Sequence, residues 1–296
     1  MDFARRKFLG VSAAAAALAA TGATVQPAKA ATSGTLKGIG YADRIFPDPF
    51  DENVPPRDIN GWARIQSLQP DWWYNWNQHR FDGTGSNFVP MLYSDNPDRL
   101  KTLDADLASC NMPTRVLGFN EPDHTGQAEM SVDEAIELWP TLEKAAAVEG
   151  LRIGAPVTAS PDNAWFQDFM AKAKTRGLKI DYIPLHIYQN PSVNTFLGKV
   201  DNVRNKYGLP VWVTETAVAD LKGVEAGNNT NKSTLYTRDQ VNDYMAALWI
   251  EVNKRSWLER FAWKTRDAND NQMWFSALFH SDGRLTTTGE LYASLT

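Results

Sequence analysis

Eight short apolar runs alternate with longer amphipathic stretches along this chain, and that alternation constrains the fold more than any other feature. The runs occupy 38–42, 72–76, 88–93, 115–120, 151–157, 180–188, 210–215 and 261–265. Each is close to continuously apolar, as strands are when both of their faces are covered. Between them the periodicity predicts helices over 59–68, 96–112, 165–176, 195–207 and 238–255. In the last of these, Val241, Tyr244, Met245, Leu248, Trp249 and Val252 recur at alternating steps of three and four. Ser131 to Glu134 forms a capping box that opens a further helix toward Gly150, which Pro140 should kink or restart. Residues 290–295 read as a short final helix. This order and size predict an α/β fold of the (β/α)₈ TIM-barrel kind, in one domain without internal repeats. A doubly wound open sheet is the alternative. No Gly-x-Gly-x-x-Gly opens a helix, which disfavours its nucleotide-binding version.

The first 30 of the 296 residues read as something other than the barrel. Arg5 and Arg6 precede an alanine-rich apolar run too short to span a bilayer, and Ala28 and Ala30 have the spacing of a signal-peptidase site. The expectation is a twin-arginine export signal over 1–30 and a catalytic domain over 31–296, delivered to the periplasm or outside the cell. Residues 1–30 carry four basic and one acidic residue, so the remainder has 26 basic against 34 acidic. That balance argues against nucleic acid and against an anionic membrane as partners, and fits a neutral substrate. A single cysteine, Cys110, excludes an internal disulfide, and four histidines without metal-ligand spacing give no support to a metal or other cofactor. A monomer is expected. All 11 tryptophans lie beyond residue 30. Some must be core, and others can serve as flat faces for sugar rings.

In a (β/α)₈ barrel the active site lies at the C-terminal strand ends. Polar residues at strand starts, such as Asp71 and Asp181, are therefore expected to be structural. Two strand ends carry a carboxylate directly after an apolar run. The fourth strand closes on Gly118-Phe-Asn-Glu-Pro-Asp123, and the seventh on Val211-Trp-Val-Thr-Glu215. Val211, Val213 and Glu215 share one face by period two, so valines facing into the barrel would set Glu215 over its centre. Two carboxylates are the equipment of glycoside hydrolysis, standing about 5–5.5 Å apart in retaining enzymes. The competing reading is that each glutamate pairs with an arginine such as Arg44 or Arg266. Asn120 and Glu121 cannot both face inward under strict alternation, so the strand must bulge or end between them. His186 and Tyr188 share a face at the end of the sixth strand, where the tyrosine hydroxyl could hold Glu215. Trp76 and Trp263 end the second and eighth strands and are the expected stacking platforms. Trp212 and Trp249 are assigned to the core, and His124 to a solvated loop.

The ordered set Trp72 to Trp76, Phe88 to Tyr93, Leu117 to Asp123, Leu138 to Pro140, His186 to Tyr188, Val211 to Glu215 and Arg260 to Trp263 resembles glycoside hydrolase family 128. That family lies within the clan of retaining (β/α)₈ glycosidases, and its members act chiefly on β-1,3-glucans. The segment from Ala277 to Thr286 is similar to the family's closing hairpin. The resemblance implies an endo-β-1,3-glucanase with Glu121 as general acid/base and Glu215 as nucleophile. It implies that Asn120 bonds the sugar 2-hydroxyl, and it carries Asn75 and Tyr93 into the substrate-binding set. Departures from the family occur at Ile187 and Tyr93, where tryptophan is usual, and at Thr216 and Lys264, where aromatic residues are expected. A non-catalytic glycan-binding barrel and a glucan-remodelling transglycosidase are the alternatives. The polar stretch 219–237 is long enough to be functional and is expected to wall the cleft.

Overall fold

The computed structural model describes residues 35–41, 57–80, 87–110, 114–226 and 231–296. The expected export signal and Arg44 lie outside them. Among the described residues seven strands are regular: β1 (Leu36–Gly40), β2 (Trp72–Tyr74), β3 (Arg115–Val116), β4 (Arg152–Ile153), β5 (Ile183–Gln189), β6 (Val211–Val218) and β7 (Leu258–Lys264). The α-helices among the described residues are α1 (Arg57–Ser67), α2 (Pro97–Ser109), α3 (Val132–Val148), α4 (Ala164–Arg176), α5 (Val193–Tyr207), α6 (Arg238–Val252) and α7 (Thr287–Ser294).

Every strand contact in the ring is parallel. One sheet runs in the order β2-β1-β7-β6-β5, and β3 pairs with β4. Parallel bridges join the two pieces. Trp73 meets Phe88, Met91 meets Leu117, Asn120 meets Val157, and Gly154 meets Tyr182. The segment around Phe88 and Met91 is thus the eighth strand position, third in chain order. With it the circuit closes, as the alternation predicts for a TIM barrel.

Alternation along the strands sorts their side chains into two layers. Trp72, Tyr74, Val89, Met91, Leu117, Val157, Tyr182, Trp212 and Ala262 form a cluster drawn only from strand positions, which is the barrel interior. Leu185, Ile187, Val211, Val213, Phe261 and Trp263 instead pack with Val200 and Val203 of α5 and with Val241, Met245 and Leu248 of α6. The second outer cluster gathers Leu103 and Leu107 of α2, Trp139 and Leu142 of α3 and Phe169 of α4 around Val116 and Ile153. Interior rings stack closely, with Tyr182 and Trp212 centroids 4.1 Å apart and the Arg260 guanidinium 4.4 Å from the Trp212 ring. Room for them comes from missing side chains. A Cβ on Gly38 would lie 2.1 Å from the Trp72 ring, and one on Gly154 would lie 2.6 Å from Tyr182. Trp212 also donates its indole N–H to Glu259 at 2.9 Å. Trp212→Ala is expected to cost about 3–5 kcal/mol in denaturant unfolding, because a closed ring cannot collapse around the void. A loss below about 1 kcal/mol would contradict this reading of the interior.

Local expectations from the sequence are met at several element ends. The Ser131–Glu134 capping box is present at α3. Asp71 accepts the Lys37 amide at 3.0 Å and Asp181 the Ile153 amide at 2.7 Å, so both acids are structural. The expected restart at Pro140 does not occur. One helix spans Val132–Val148, and the Ile136 carbonyl, which residue 140 has no amide to serve, receives Arg176 Nη1 at 3.5 Å.

Candidate active site

The C-terminal ends of β3, β5, β6 and β7 bring five polar side chains together. Glu215 comes from β6, but not by the face that period two suggests. Val211 and Val213 point outward into the belt under the helices, and Trp212 points inward. The register between β5 and β6 slips after Leu185, with Leu185 opposite Val213 and His186 opposite Glu215. Thr214 is the extra residue. This bulge resets the alternation and turns Glu215 into the barrel mouth. On β5, His186 and Tyr188 face inward while Leu185 and Ile187 face outward. Because Ile187 belongs to the outer belt, its departure from tryptophan does not remove a platform from the site.

The strand leading to Glu121 ends between Asn120 and Glu121, as the alternation requires. Asn120 makes its bridge with Val157, and Glu121 then takes φ +44°. A non-glycine residue in that region is held by its surroundings at some energetic cost. The Glu121 amide donates to the Val157 carbonyl at 2.7 Å. Asp123 anchors the turn beyond by accepting the Ala159 amide at 3.0 Å and Asn163 Nδ2 at 2.6 Å.

His186 lies between the two carboxylates. Its Nδ1 is 2.7 Å from Glu121 Oε1, and its Nε2 is 3.3 Å from Glu215 Oε1 without the alignment of a hydrogen bond. One carboxylate oxygen from each glutamate and one His186 nitrogen fall within 4.8 Å of one another. This set has the donor types to hold a metal ion. The Lys264 ammonium, 3.3 Å from Glu215 Oε1, already supplies a cation there. Arg266 pairs with Asp270 rather than with either glutamate.

Glu215 is 4 % exposed and is surrounded by donors. Oε1 accepts from Trp76 Nε1 at 2.6 Å and from Tyr74 Oη at 3.1 Å, a hydroxyl shared with the Thr214 carbonyl. Oε2 accepts from Tyr188. Burial alone would raise this carboxyl. The opposing pull of His186, Lys264, Tyr188 and Trp76 outweighs it and brings the pKa down to about 2. Tyr74 and Tyr188 are pushed well above the usual phenol range, first by burial and then by the charge of Glu215, so both stay donors.

The other sequence-selected residues fall in different places. Asn120 is buried, with Nδ2 3.3 Å from Gln127 Oε1 and its Oδ1 without a partner. Tyr93 donates to Gln127 at 2.5 Å and lies beneath Arg99. The Asn75 amide is engaged in its own loop, donating to the His79 carbonyl and accepting the Asn77 amide. Trp76 is at the site, but its N–H is turned onto Glu215 and its ring lies 3.5 Å from the Lys264 ammonium. Trp263 is not at the site. It is fully buried and donates to the Ser276 carbonyl at 3.0 Å. Its expected role as a stacking platform is corrected by strand parity, since Lys264 takes the inward position beside it. Tyr74 and Lys264 are site residues that selection by residue type passed over. The signal for both was parity, from Trp72 and Trp76 for one and from Arg260 and Ala262 for the other. The described parts of 219–237 are tied to 270–274, with the Asp220 amide donating to the Gln272 carbonyl at 3.0 Å and Trp274 donating to the Ser233 carbonyl at 2.8 Å.

Residues 53–292 match the model of the family described as "Glycosyl hydrolase catalytic core". The alkali-sensitive linkage protein 1 of Schizosaccharomyces pombe is 25 % identical over 253 residues, covering 81 % of this chain and 43 % of that protein. The chain thus spans less than half the length of that curated relative. A family 128 (subgroup I) endo-β-1,3-glucanase from Amycolatopsis mediterranei, solved with laminaritriose, superposes with a TM-score of 0.68 at 26 % identity. That match covers 89 % of this chain and 100 % of the other. A subgroup II endo-β-1,3-glucanase from Pseudomonas viridiflava gives a TM-score of 0.65 at 26 % identity, covering 90 % and 98 %.

Proposed function

Because this chain belongs to the glycosyl hydrolase catalytic-core family, glycoside hydrolase family 128, we propose that it hydrolyses β-1,3-glucan internally and with retention of configuration. The observation that carries the proposal is the approach of two carboxylates from separate strand ends, within 4.8 Å through His186, at the mouth of a parallel barrel. A close approach of this kind supports direct attack over the water-mediated route of an inverting enzyme, whose carboxyls stand roughly 6.5–9.5 Å apart. The endo-β-1,3-glucanases of similar fold support the choice of linkage and of internal cleavage.

In this reading Glu215 is the nucleophile. Its ionised carboxylate attacks the anomeric carbon as the glycosidic C–O bond breaks, and the departing oxygen takes a proton from Glu121. Water then adds to the anomeric carbon, giving its proton back to Glu121 while the ester electrons return to Glu215. Oε1 is crowded by Trp76, Tyr74 and Lys264, whereas among the described residues Oε2 accepts from Tyr188 alone, so Oε2 is the oxygen placed to attack. The unpartnered Oδ1 of buried Asn120 supports its role as acceptor for the sugar 2-hydroxyl. Incubation with laminarin should release new reducing ends, and proton NMR should show the β-anomer first. A first-formed α-anomer would overturn retention, and unchanged laminarin would overturn the substrate assignment.

A further inference from the structure

We propose that Lys264 is a positioning residue for Glu215, its ammonium locking the carboxylate and the Trp76 indole into one arrangement in which Trp76 serves the nucleophile and not a sugar. The inference rests on the proposed role of Glu215 and names a residue that the two-carboxylate scheme does not require.

The geometry is a closed triangle. Lys264 Nζ stands 3.3 Å from Glu215 Oε1 and 3.5 Å from the Trp76 ring centroid, and Trp76 Nε1 donates to the same Oε1 at 2.6 Å. One ammonium therefore neutralises the carboxylate and, as a cation over a π-face, fixes the ring that bonds it. The rest of Trp76 is also held. Its backbone sits at φ +57°, its ring centroid lies 4.9 Å from that of Tyr74, and a Cβ on Gly40 would come within 3.0 Å of it. An indole face under an ammonium is closed to a sugar ring. Lys264 occupies the inward position at the end of β7 where the resemblance to family 128 leads one to expect an aromatic residue. At that position this chain presents a charge that acts on the nucleophile.

Glu215 is met from every element packed around it. Tyr74 and Trp76 approach from the end of β2, His186 and Tyr188 from β5, and Lys264 from β7. Glu121 adds its charge through His186, and Arg266 lies beyond β7. Of these, Lys264 gives the one direct ammonium contact among the described residues. The sign follows from the charge. A carboxylate with a depressed pKa stays ionised as pH falls, and removing a cation at this range lets it take a proton at higher pH.

Lys264→Met, Lys264→Arg and the unaltered protein are to be compared in two ways. The first is the pH dependence of kcat/KM on laminari-oligosaccharides, whose acidic limb reports the nucleophile in the free enzyme. The second needs no substrate: the ¹H–¹⁵N indole resonance of Trp76 is followed against pH. Lys264→Met should move the acidic limb upward by about 1 unit or more, the usual effect of removing an opposite charge at this distance. Because the limb of the unaltered protein starts near pH 2, the extra loss in Lys264→Met should be absent at pH 7 and slight at pH 4, and should approach about tenfold below pH 2. The Trp76 resonance should titrate with the carboxylate, its midpoint lying about 1 unit higher in Lys264→Met than in the unaltered protein. Lys264→Arg should restore most of both. If Lys264 only fills space, Lys264→Met loses activity equally at all pH values and the indole resonance keeps its profile, which overturns the proposal. An unaltered protein inactive on glucans would refute the proposed function alone, since the indole measurement still decides the role of Lys264.

Discussion

Replacing Glu215 with alanine is expected to abolish turnover of laminarin, by more than about 10⁴-fold in kcat, while leaving oligosaccharide binding intact. A carboxylate that forms the covalent bond has no substitute in the site, and losses of this order are what removal of a nucleophile produces. Tyr74, Trp76, Tyr188 and Lys264 all converge on this one side chain, and among the described residues the other acid joined to this group is Glu121, through His186. The variant also leaves a cavity on the α-face of the bound sugar. Azide, a small anion, should enter it and attack a substrate with an activated leaving group, giving an α-glycosyl azide with inverted configuration. Binding of laminarihexaose measured by calorimetry should stay within a few-fold of the unaltered protein. An alanine variant that keeps more than about a tenth of the original turnover would remove Glu215 from the nucleophile role, since a merely positional carboxylate costs far less.

That a glutamate at this position could be picked from the sequence, while its orientation could not be derived correctly, shows which information the linear pattern holds. The eight apolar runs specify the barrel because period-two and period-3.6 patterns follow directly from which side of an element meets another. Position along a strand is also legible, so Glu121, His186, Tyr188 and Glu215 all lie on the C-terminal side of the barrel, although β6 runs three residues past Glu215 to Val218. Which way a side chain points depends on register, and register is a property of pairs of strands. The bulge at Thr214 leaves no mark in the sequence of β6. Strict alternation from Val211 would place Glu215 inward only if the valines were inward too, and they are not. The same limit misplaced Trp263, where a large aromatic at a strand end drew attention away from the lysine beside it. Counting by twos from Arg260, whose guanidinium stacks on interior Trp72 and Trp212, would have selected Lys264. Tyr74 was within reach of the same argument from Trp72. The Gln127 contact to Asn120 and Tyr93 was not, because it depends on a loop whose path is set by turns and not by periodicity.

Glu121→Ala is expected to behave differently from the loss of its partner, and the difference tests the division of labour. Proton transfer to the leaving oxygen typically contributes about 10²–10⁴-fold, so laminarin hydrolysis should fall by that factor. A dinitrophenyl laminaribioside, whose leaving group needs no proton, should still form the glycosyl-enzyme at Glu215 at close to the original rate. Its second step then lacks a base to activate water, so a burst of dinitrophenolate should precede a slow steady state. Azide needs no base. It should restore turnover of this substrate and yield a β-glycosyl azide, because it attacks the α-linked ester from the face that Glu121 has vacated. Loss of Glu121 also removes the 2.7 Å partner of His186 Nδ1, so the variant's fold should be checked by thermal unfolding before rates are compared. The configuration of the azide product is the decisive reading. An α-azide from Glu121→Ala together with a β-azide from Glu215→Ala would mean that the two glutamates carry each other's roles. In that case the strained backbone at φ +44° would hold the nucleophile, and the tyrosine- and lysine-bound carboxylate would be the acid. The donors around Glu215 argue against that exchange, because each of them favours the charged form and none favours a proton.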